Sequence, residues 1–306
     1  LWRNLGVLPA LVSSLARLRA WVRTRRPEAV VVTGGYAGAP AGLVAAISGL
    51  PLTLQEQNAV PGATTKLLAR WAARIHVAYP EVAAYLPERA RTRVRVSGNP
   101  IRPPVERDPA EARAALGLDP ALPTVLVVGG SQGSVALKEA VLAALGEVEG
   151  DPGYQLMWST GPANHAKVCA ALDEMAVPVG VHAVAYIDDM PSALAAADVA
   201  VSRAGAMATS ELLAWGVPAI LVPLPTSAAG HQEKNARALA EAGCAVHAPQ
   251  AELDGPRLAR ELHGLLGDEP RRARMREAAR SRSFPEAARD IAADIAERLP
   301  APRRAA

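Results

Sequence analysis

Short runs of β-branched and aliphatic residues recur along the chain, each followed by a small-residue turn and then by apolar positions at helical spacing. Thr124 to Val128 leads into Gly129-Gly130-Ser131-Gln132-Gly133-Ser134 and a helix expected from about Val135 to Leu145. Asp198 to Ser202 leads into Arg203-Ala204-Gly205-Ala206 and a helix ending near Trp215, where Gly216-Val217-Pro218 stops it before the strand Ala219 to Val222. Further strands are expected near Gln155 to Trp158, Val181 to Ala185 and Ala245 to His247, with helices near 256–266 and 270–281. Such alternation builds a doubly wound parallel sheet, so the fold class is α/β.

The first third repeats the pattern more briefly. Ala29 to Thr33 ends in Gly34-Gly35-Tyr36-Ala37-Gly38, and a small-residue helix is expected over Ala39 to Ile47. Leu52 to Leu54 hands over to the polar cluster Gln55-Glu56-Gln57-Asn58 and a helix beginning near Pro61, and Ile75 to Ala78 and Val94 to Val96 give two more strands. Ser97-Gly98-Asn99-Pro100-Ile101-Arg102 closes this half, and the charged, Pro-rich stretch Pro103 to Pro109 reads as a linker. Two domains are expected, 1–105 and 106–283. A final helix from about Pro285 to Leu299 carries Ala288, Ile291, Ile295 and Leu299 on one stripe.

Ahead of the first strand, Leu11, Leu15, Leu18 and Val22 recur at i, i+4, i+7 and i+11, predicting an amphipathic helix opening at Pro9. Residues 1–27 hold Arg3, Arg17, Arg19, Arg23, Arg25 and Arg26 and no acidic residue. One face would pack on the sheet, and Leu5, Leu8 and Val12 with the basic rim would meet anionic lipid. Composition narrows the rest. A chain of 306 residues with 50% hydrophobic positions is globular, and its net charge of +3 is too small to argue for nucleic acid. Cys169 and Cys244 are the only cysteines, which suggests neither a disulfide framework nor zinc and fits a reducing compartment. No apolar run approaches 18 residues, so no spanning helix is expected.

The turn at Arg203 to Ala206 is a candidate anion site, because a helix N-terminus free of bulky side chains lets a phosphate reach unpaired N–H groups. Glu211, about one and a half turns on, is placed to accept hydrogen bonds from both hydroxyls of a ribose. His231 and Asn235 share a helix face at i and i+4 beside Gln232. The Gly129 loop lacks the Gly-Lys-Ser/Thr of a Walker A motif and is not GxGxxG.

Taken jointly, seven blocks in order resemble the MurG family of GT-B glycosyltransferases. They are Gly34-Gly35-Tyr36, Glu56-Gln57-Asn58, Gly98-Asn99-Pro100 with Arg102, Gly129 to Gly133, Ile187-Asp188-Asp189-Met190, Arg203 to Glu211, and His231-Gln232 with Asn235. The resemblance implies two Rossmann-like domains facing a cleft, with the final helix crossing back onto the first domain. It implies transfer of N-acetylglucosamine from UDP-N-acetylglucosamine to a muramyl peptide on a polyprenyl diphosphate (lipid I), inverting and without cofactor or metal, at the cytoplasmic face of the bacterial inner membrane. Carried over by position, the backbone at Ile187 would face uracil, with Asp188-Asp189 part of that pocket, and Glu211 would hold the ribose. Ser131, Ala206, Met207 and Ala208 would hold the diphosphate with Arg102 nearby, while His231, Gln232, Asn235 and Asn58 would read the sugar. Gly34, Gly35 and Tyr36 fall to the acceptor diphosphate.

Two departures stand out. Ala208 replaces the hydroxyl residue usual in the family, and the GGTGGH loop with its proposed histidine base does not precede Leu1, so the first domain is expected to lack its initial βα unit. Glu56, a carboxylate at a strand end, is the remaining candidate base. The rival readings are a UDP-N-acetylglucosamine 2-epimerase of the same architecture and a UDP-sugar-binding module without turnover.

Overall fold

The computed structural model describes residues 7–130, 133–148, 150, 152–175 and 180–299. The chain divides into two compact units, Leu1–Pro100 with Glu286–Ala306, and Ile101–Pro285. Arg102, which the sequence reading assigns to the close of the first half, thus belongs to the second unit.

In the first unit the elements are α1 (Val7–Arg25), β1 (Val30–Val32), α2 (Gly35–Ile47), β2 (Leu52–Glu56), α3 (Ala63–Leu68), β3 (Arg74–Val77), α4 (Glu88–Arg91) and β4 (Val94–Val96). The strands lie parallel in chain order, with Val32 opposite Leu54, Leu54 opposite Ile75 and Ile75 opposite Val94. Leu54 and Ile75 are fully buried, so this row forms the floor of the unit's core. On α1, Leu11, Leu15, Leu18 and Val22 are half-buried, as their spacing requires, and the helix packs against α2.

Two elements run longer than their sequence pattern suggests. Helix α2 starts at Gly35 rather than Ala39, because Gly38 is a packing position and not loop: a Cβ there would lie 2.7 Å from Val32. A Cβ on Gly42 would lie 2.2 Å from Leu68, so glycine lets α3 close on α2. Strand β2 continues through Gln55 and Glu56, which are 3% and 2% exposed, because each polar group finds a partner inside the unit.

The second unit contains α5 (Pro109–Ala115), β5 (Thr124–Val128), α6 (Val135–Gly146), β6 (Gln155–Ser159), α7 (Pro162–Glu174), β7 (Gly180–Val184), α8 (Met190–Ala196), β8 (Val199–Ser202), α9 (Ala206–Trp215), β9 (Ala219–Leu221), α10 (His231–Glu241), β10 (Ala245–His247), α11 (Gly255–Leu266) and α12 (Glu269–Ser281). Helix α5 has no counterpart in the sequence reading. It opens where Asp108 accepts from the N–H groups of Ala110 and Glu111, with Pro109 at its first position. The six strands are all parallel, in the order β10-β9-β8-β5-β6-β7. Chain order therefore reverses between β5 and β8, and a doubly wound sheet binds ligands at the carboxyl ends of the strands that flank such a reversal. Val125, Val127, Leu156, Trp158, Val199 and Val201 fill the core beneath that point.

The last helix, α13 (Ala287–Ala296), belongs to the first unit. Its buried stripe is Ala287, Ile291 and Asp294; Ala288 and Leu299, expected on that stripe, are exposed. Asp294 is tolerated at 3% exposure because it meets Arg74 at 3.2 Å, Arg95 at 3.1 Å, Arg298 at 2.9 Å and His76 at 3.3 Å. The Arg298 hydrogen bond and the neighbouring guanidinium charges hold its carboxyl far below the usual range.

Candidate functional site

At the switch point β5 ends in Gly129-Gly130 and β8 in Ser202-Arg203, and each turn opens a helix. Ser134 caps α6, its Oγ accepting from the Leu137 N–H at 3.2 Å. Gly133 just before it has φ +73°, and a Cβ there would lie 2.1 Å from the Thr160 carbonyl, so only glycine fits. Gly205 precedes α9 with no side-chain cap, and a Cβ there would meet nothing within 4 Å. The first turn of α9, with Ala206, Met207 and Ala208, thus begins without a side-chain cap from Gly205 and beside open space.

A cavity of about 550 Å³ lies here, lined by Gly129, Gly130, Gly133, Ser134, Arg203 and Gln232 among others, with Gly205 and Ala208 at the α9 side. Ser131, expected to hold a diphosphate, and Gln132 lie outside the described residues. Gln232 lines the cavity and accepts from the Leu224 N–H at 3.0 Å, while His231, half-buried, opens α10 after Gly230.

Asn235 differs from expectation. It is fully buried and donates to the Ala204 carbonyl at 3.2 Å, so in this structure it ties α10 to the α9 turn and presents no group to a sugar. The i, i+4 spacing correctly puts it on one face with His231, but that face turns inward at its second member.

Glu211 is half-buried on α9. Burial raises its carboxyl above the ordinary value, and the charge of Arg102 opposes the rise. Arg102 therefore stands by Glu211, and it is not part of the cavity lining. The side chain of Ile187 is 3% exposed, so what it can offer a ligand is its peptide group. Asp189 caps α8, accepting from the Ser192 N–H at 3.1 Å and its Oγ at 2.5 Å, and pairs with Arg107 at 3.3 Å.

In the first unit three of the sequence blocks meet at the carboxyl ends of β1, β2 and β4. Gln57 donates to the Thr33 carbonyl at 2.8 Å, Thr64 to the Gly35 carbonyl at 2.8 Å, and Asn99 to the Gln57 carbonyl at 3.1 Å. Gly34 and Gly35 hold φ +82° and +70°, and Tyr36 is 90% exposed. Glu56 spends both carboxylate oxygens on its own loop: Oε1 accepts from the Asn58 N–H and Nδ2 at 3.2 and 3.3 Å, and Oε2 from the Gly62 N–H at 3.1 Å and Thr65 Oγ1 at 2.6 Å. At 2% exposure this carboxylate is a loop clamp in geometry, and it lacks the free oxygen turned to solvent that a general base requires.

Comparison with known proteins bears on the whole chain. The glycosyltransferase family 28 C-terminal domain matches residues 124–295, and the N-terminal domain of that family matches residues 1–77. The chain belongs to glycosyltransferase family 28. A UDP-N-acetylglucosamine--N-acetylmuramyl-(pentapeptide) pyrophosphoryl-undecaprenol N-acetylglucosamine transferase of Salinibacter ruber is 44% identical over 270 residues, 88% of this chain and 71% of that protein. A protein of the same name from Chlorobium luteolum is 41% identical over 292 residues, 95% of this chain and 78% of that protein. Among solved structures, Acinetobacter baumannii MurG superposes with a TM-score of 0.75 at 26% identity, covering 94% of this chain and 78% of that one. A UDP-GlcNAc 2-epimerase from Neisseria meningitidis gives a TM-score of 0.64 at 12% identity, covering 94% and 81%, which shows a shared fold alone. The chain thus has the GT-B fold of family 28.

The sequence reading placed Gln55, Asn99 and Arg203 in its polar blocks without giving them separate roles, and it did not name Thr65. Gln55 and Asn99, 3% and 1% exposed, join through a 2.9 Å hydrogen bond that locks β2 to the Asn99 turn. Thr65 anchors Glu56, and Arg203 braces the cavity wall.

Proposed function

We propose that this chain transfers N-acetylglucosamine from UDP-N-acetylglucosamine to the muramyl sugar of an undecaprenyl-diphosphate-linked muramyl pentapeptide, with inversion at the anomeric carbon. The observation that carries the reading is the cavity at the switch point of β5 and β8, where two helix N-termini converge beside Gly205. Departure of UDP places charge on a diphosphate, and oriented N–H groups at helix starts stabilise that charge without having to reorganise. In this assignment Ala206, Met207 and Ala208 face the diphosphate, Glu211 the ribose, and Gln232 and His231 the sugar. The peptide of Ile187 lies against uracil.

Asn58 is assigned to the sugar, and Glu56 is a positioning residue that fixes Asn58 and the loop to Gly62. Gly34, Gly35 and Tyr36 take the acceptor diphosphate. The acceptor is lipid-borne, and α1 suits a peripheral stay on an anionic membrane, here the cytoplasmic face of the inner membrane. Val12 and Trp21 are 62% and 51% exposed on a helix rich in arginine. No helix among the described residues is long and apolar enough to cross a membrane.

The test is a transfer assay with UDP-N-acetylglucosamine and a soluble analogue of the muramyl acceptor, following both UDP release and the disaccharide product. Stoichiometric formation of both supports the reading. UDP binding without product would favour a nucleotide-sugar-binding module, and 2-epimerised sugar would favour the epimerase.

A further inference from the structure

Arg203 stands directly after β8 and is 8% exposed. Its Nη1 donates to the carbonyls of Val222 at 3.0 Å and Pro223 at 3.3 Å, and its Nη2 to Ser134 Oγ at 2.5 Å and Gln250 Oε1 at 2.8 Å. Every one of these acceptors is neutral. Among the described residues no carboxylate pairs with Arg203, and Glu139, the acidic residue of the cavity lining, is exposed. Burial disfavours the charged guanidinium and lowers its pKa from the ordinary arginine value, and arginine keeps its proton in proteins.

A buried cation without a counter-ion is costly, and such groups occur where something compensates them. The four acceptors come from three segments that border the cavity: the cap of α6, the end of β9 leading to Leu224, and Gln250. A neutral side chain of similar length could brace the same segments at lower desolvation cost. A full positive charge in the wall is the part that bracing does not explain, and the open side of that wall is the cavity.

We propose that Arg203 is the fixed counter-charge of the donor diphosphate: a positioning residue that aims the Ser134 turn and the Leu224 loop and stabilises the leaving UDP through its field. Both terminal nitrogens are committed to protein acceptors, so the guanidinium acts at a distance and Ser134, Gln232 and the α9 N-terminus make the contacts. The inference rests on the nucleotide-sugar reading of the site.

The experiment compares UDP with uridine, which share base and ribose and differ in charge, on the full chain and on the variants R203K and R203Q. Affinities come from calorimetry, with uridine measured by competition against UDP, and each variant's melting temperature is recorded. In R203Q, UDP is expected to weaken roughly 30-fold and uridine less than about threefold, the difference expected of one charge-assisted interaction. R203K keeps the charge and is expected to retain the UDP-to-uridine ratio to within about threefold even if its melting temperature falls. Parallel loss of UDP and uridine in R203Q would make Arg203 a brace only and overturn the proposal. So would a lysine variant whose ratio collapses like that of glutamine, and this second variant decides the matter should R203Q fail to fold. Failure of the unaltered chain to bind UDP would instead sink the nucleotide reading itself.

Discussion

Burial raises the Glu211 carboxyl, and the displacement has opposite signs for folding and for binding. Folding lifts the pKa above its unfolded value, so the ionised group opposes folding; that opposition sets in as pH rises through the unfolded value and is complete above the folded one. Binding works the other way, because only the carboxylate accepts both ribose hydroxyls. Glu211→Gln is therefore expected to raise the melting temperature of the free protein at pH 7 while weakening UDP by about 2–3 kcal/mol. In the parent, UDP affinity should fall as pH drops through a value above the ordinary carboxylate range, and the glutamine variant should lack that step. Calorimetry from pH 4.5 to 8 tests it, and a parent profile as flat as the variant's would remove Glu211 from the ribose. Asn235 makes a contrasting case. Asn235→Ala strands the buried Ala204 carbonyl and should cost about 1–3 kcal/mol of stability. Preference for N-acetylglucosamine over its hydroxyl epimer should stay unchanged, whereas Gln232→Ala should relax it. Equal relaxation by both would return Asn235 to the sugar.

Most elements were legible in the sequence where residue type and burial agree, as in the run Thr124 to Val128 ahead of its glycine turn. The misreadings fall where a distant partner reverses a local preference. Strand β2 looked finished at Leu54 because the polarity of Gln55 and Glu56 is local information, whereas their partners Asn99 and Thr65 are not. Helix α13 is the sharper instance. Ala288 and Leu299 were expected on its apolar stripe, yet Asp294 is buried there, 220 residues from Arg74 and 199 from Arg95 in sequence and beside both in space. Since folding lowers the Asp294 carboxyl below its unfolded value, its contribution is complete above the unfolded pKa of about 4 and is lost as pH falls toward the folded one. Asp294→Asn should therefore cost roughly 2–4 kcal/mol at pH 7, held below the upper end because Arg95 is half-exposed, and the gap to the parent should close as pH falls below about 4. A constant gap down to pH 2.5 would show that packing, and not charge, seats the helix. Helix α1 gives a salt-dependent prediction: vesicles with anionic lipid should retain the chain at low salt and release much of it at high salt, since each basic residue near the surface contributes about 1 kcal/mol. Replacing Val12 and Trp21 by Ser should weaken retention at both salt concentrations; unchanged retention would assign membrane contact to another face.

At the scale of the whole molecule the chain leaves the first unit after Pro100 and rejoins it at Glu286, so the second unit is an insertion between two segments of the first. Each unit has a parallel sheet of its own, and among the described residues the cavity assigned to the donor is lined by residues of the second. Stabilisation by a ligand that binds only the folded form grows as RT ln(1 + [L]/Kd), about 2.7 kcal/mol at a hundredfold excess over Kd. That increment belongs to whichever cooperative unit holds the site. UDP should accordingly raise one calorimetric transition and leave a second in place, and the second should be the one that Asp294→Asn lowers. Residues 101–285 expressed alone should show a single transition that UDP raises by a similar amount, because the cap of α6, the brace at Arg203 and the tie from Asn235 all lie inside them. If UDP and Asp294→Asn moved the same single transition in the full chain, the two units would unfold together. The donor site's stability would then depend on α13, and the isolated fragment would be expected to bind UDP poorly.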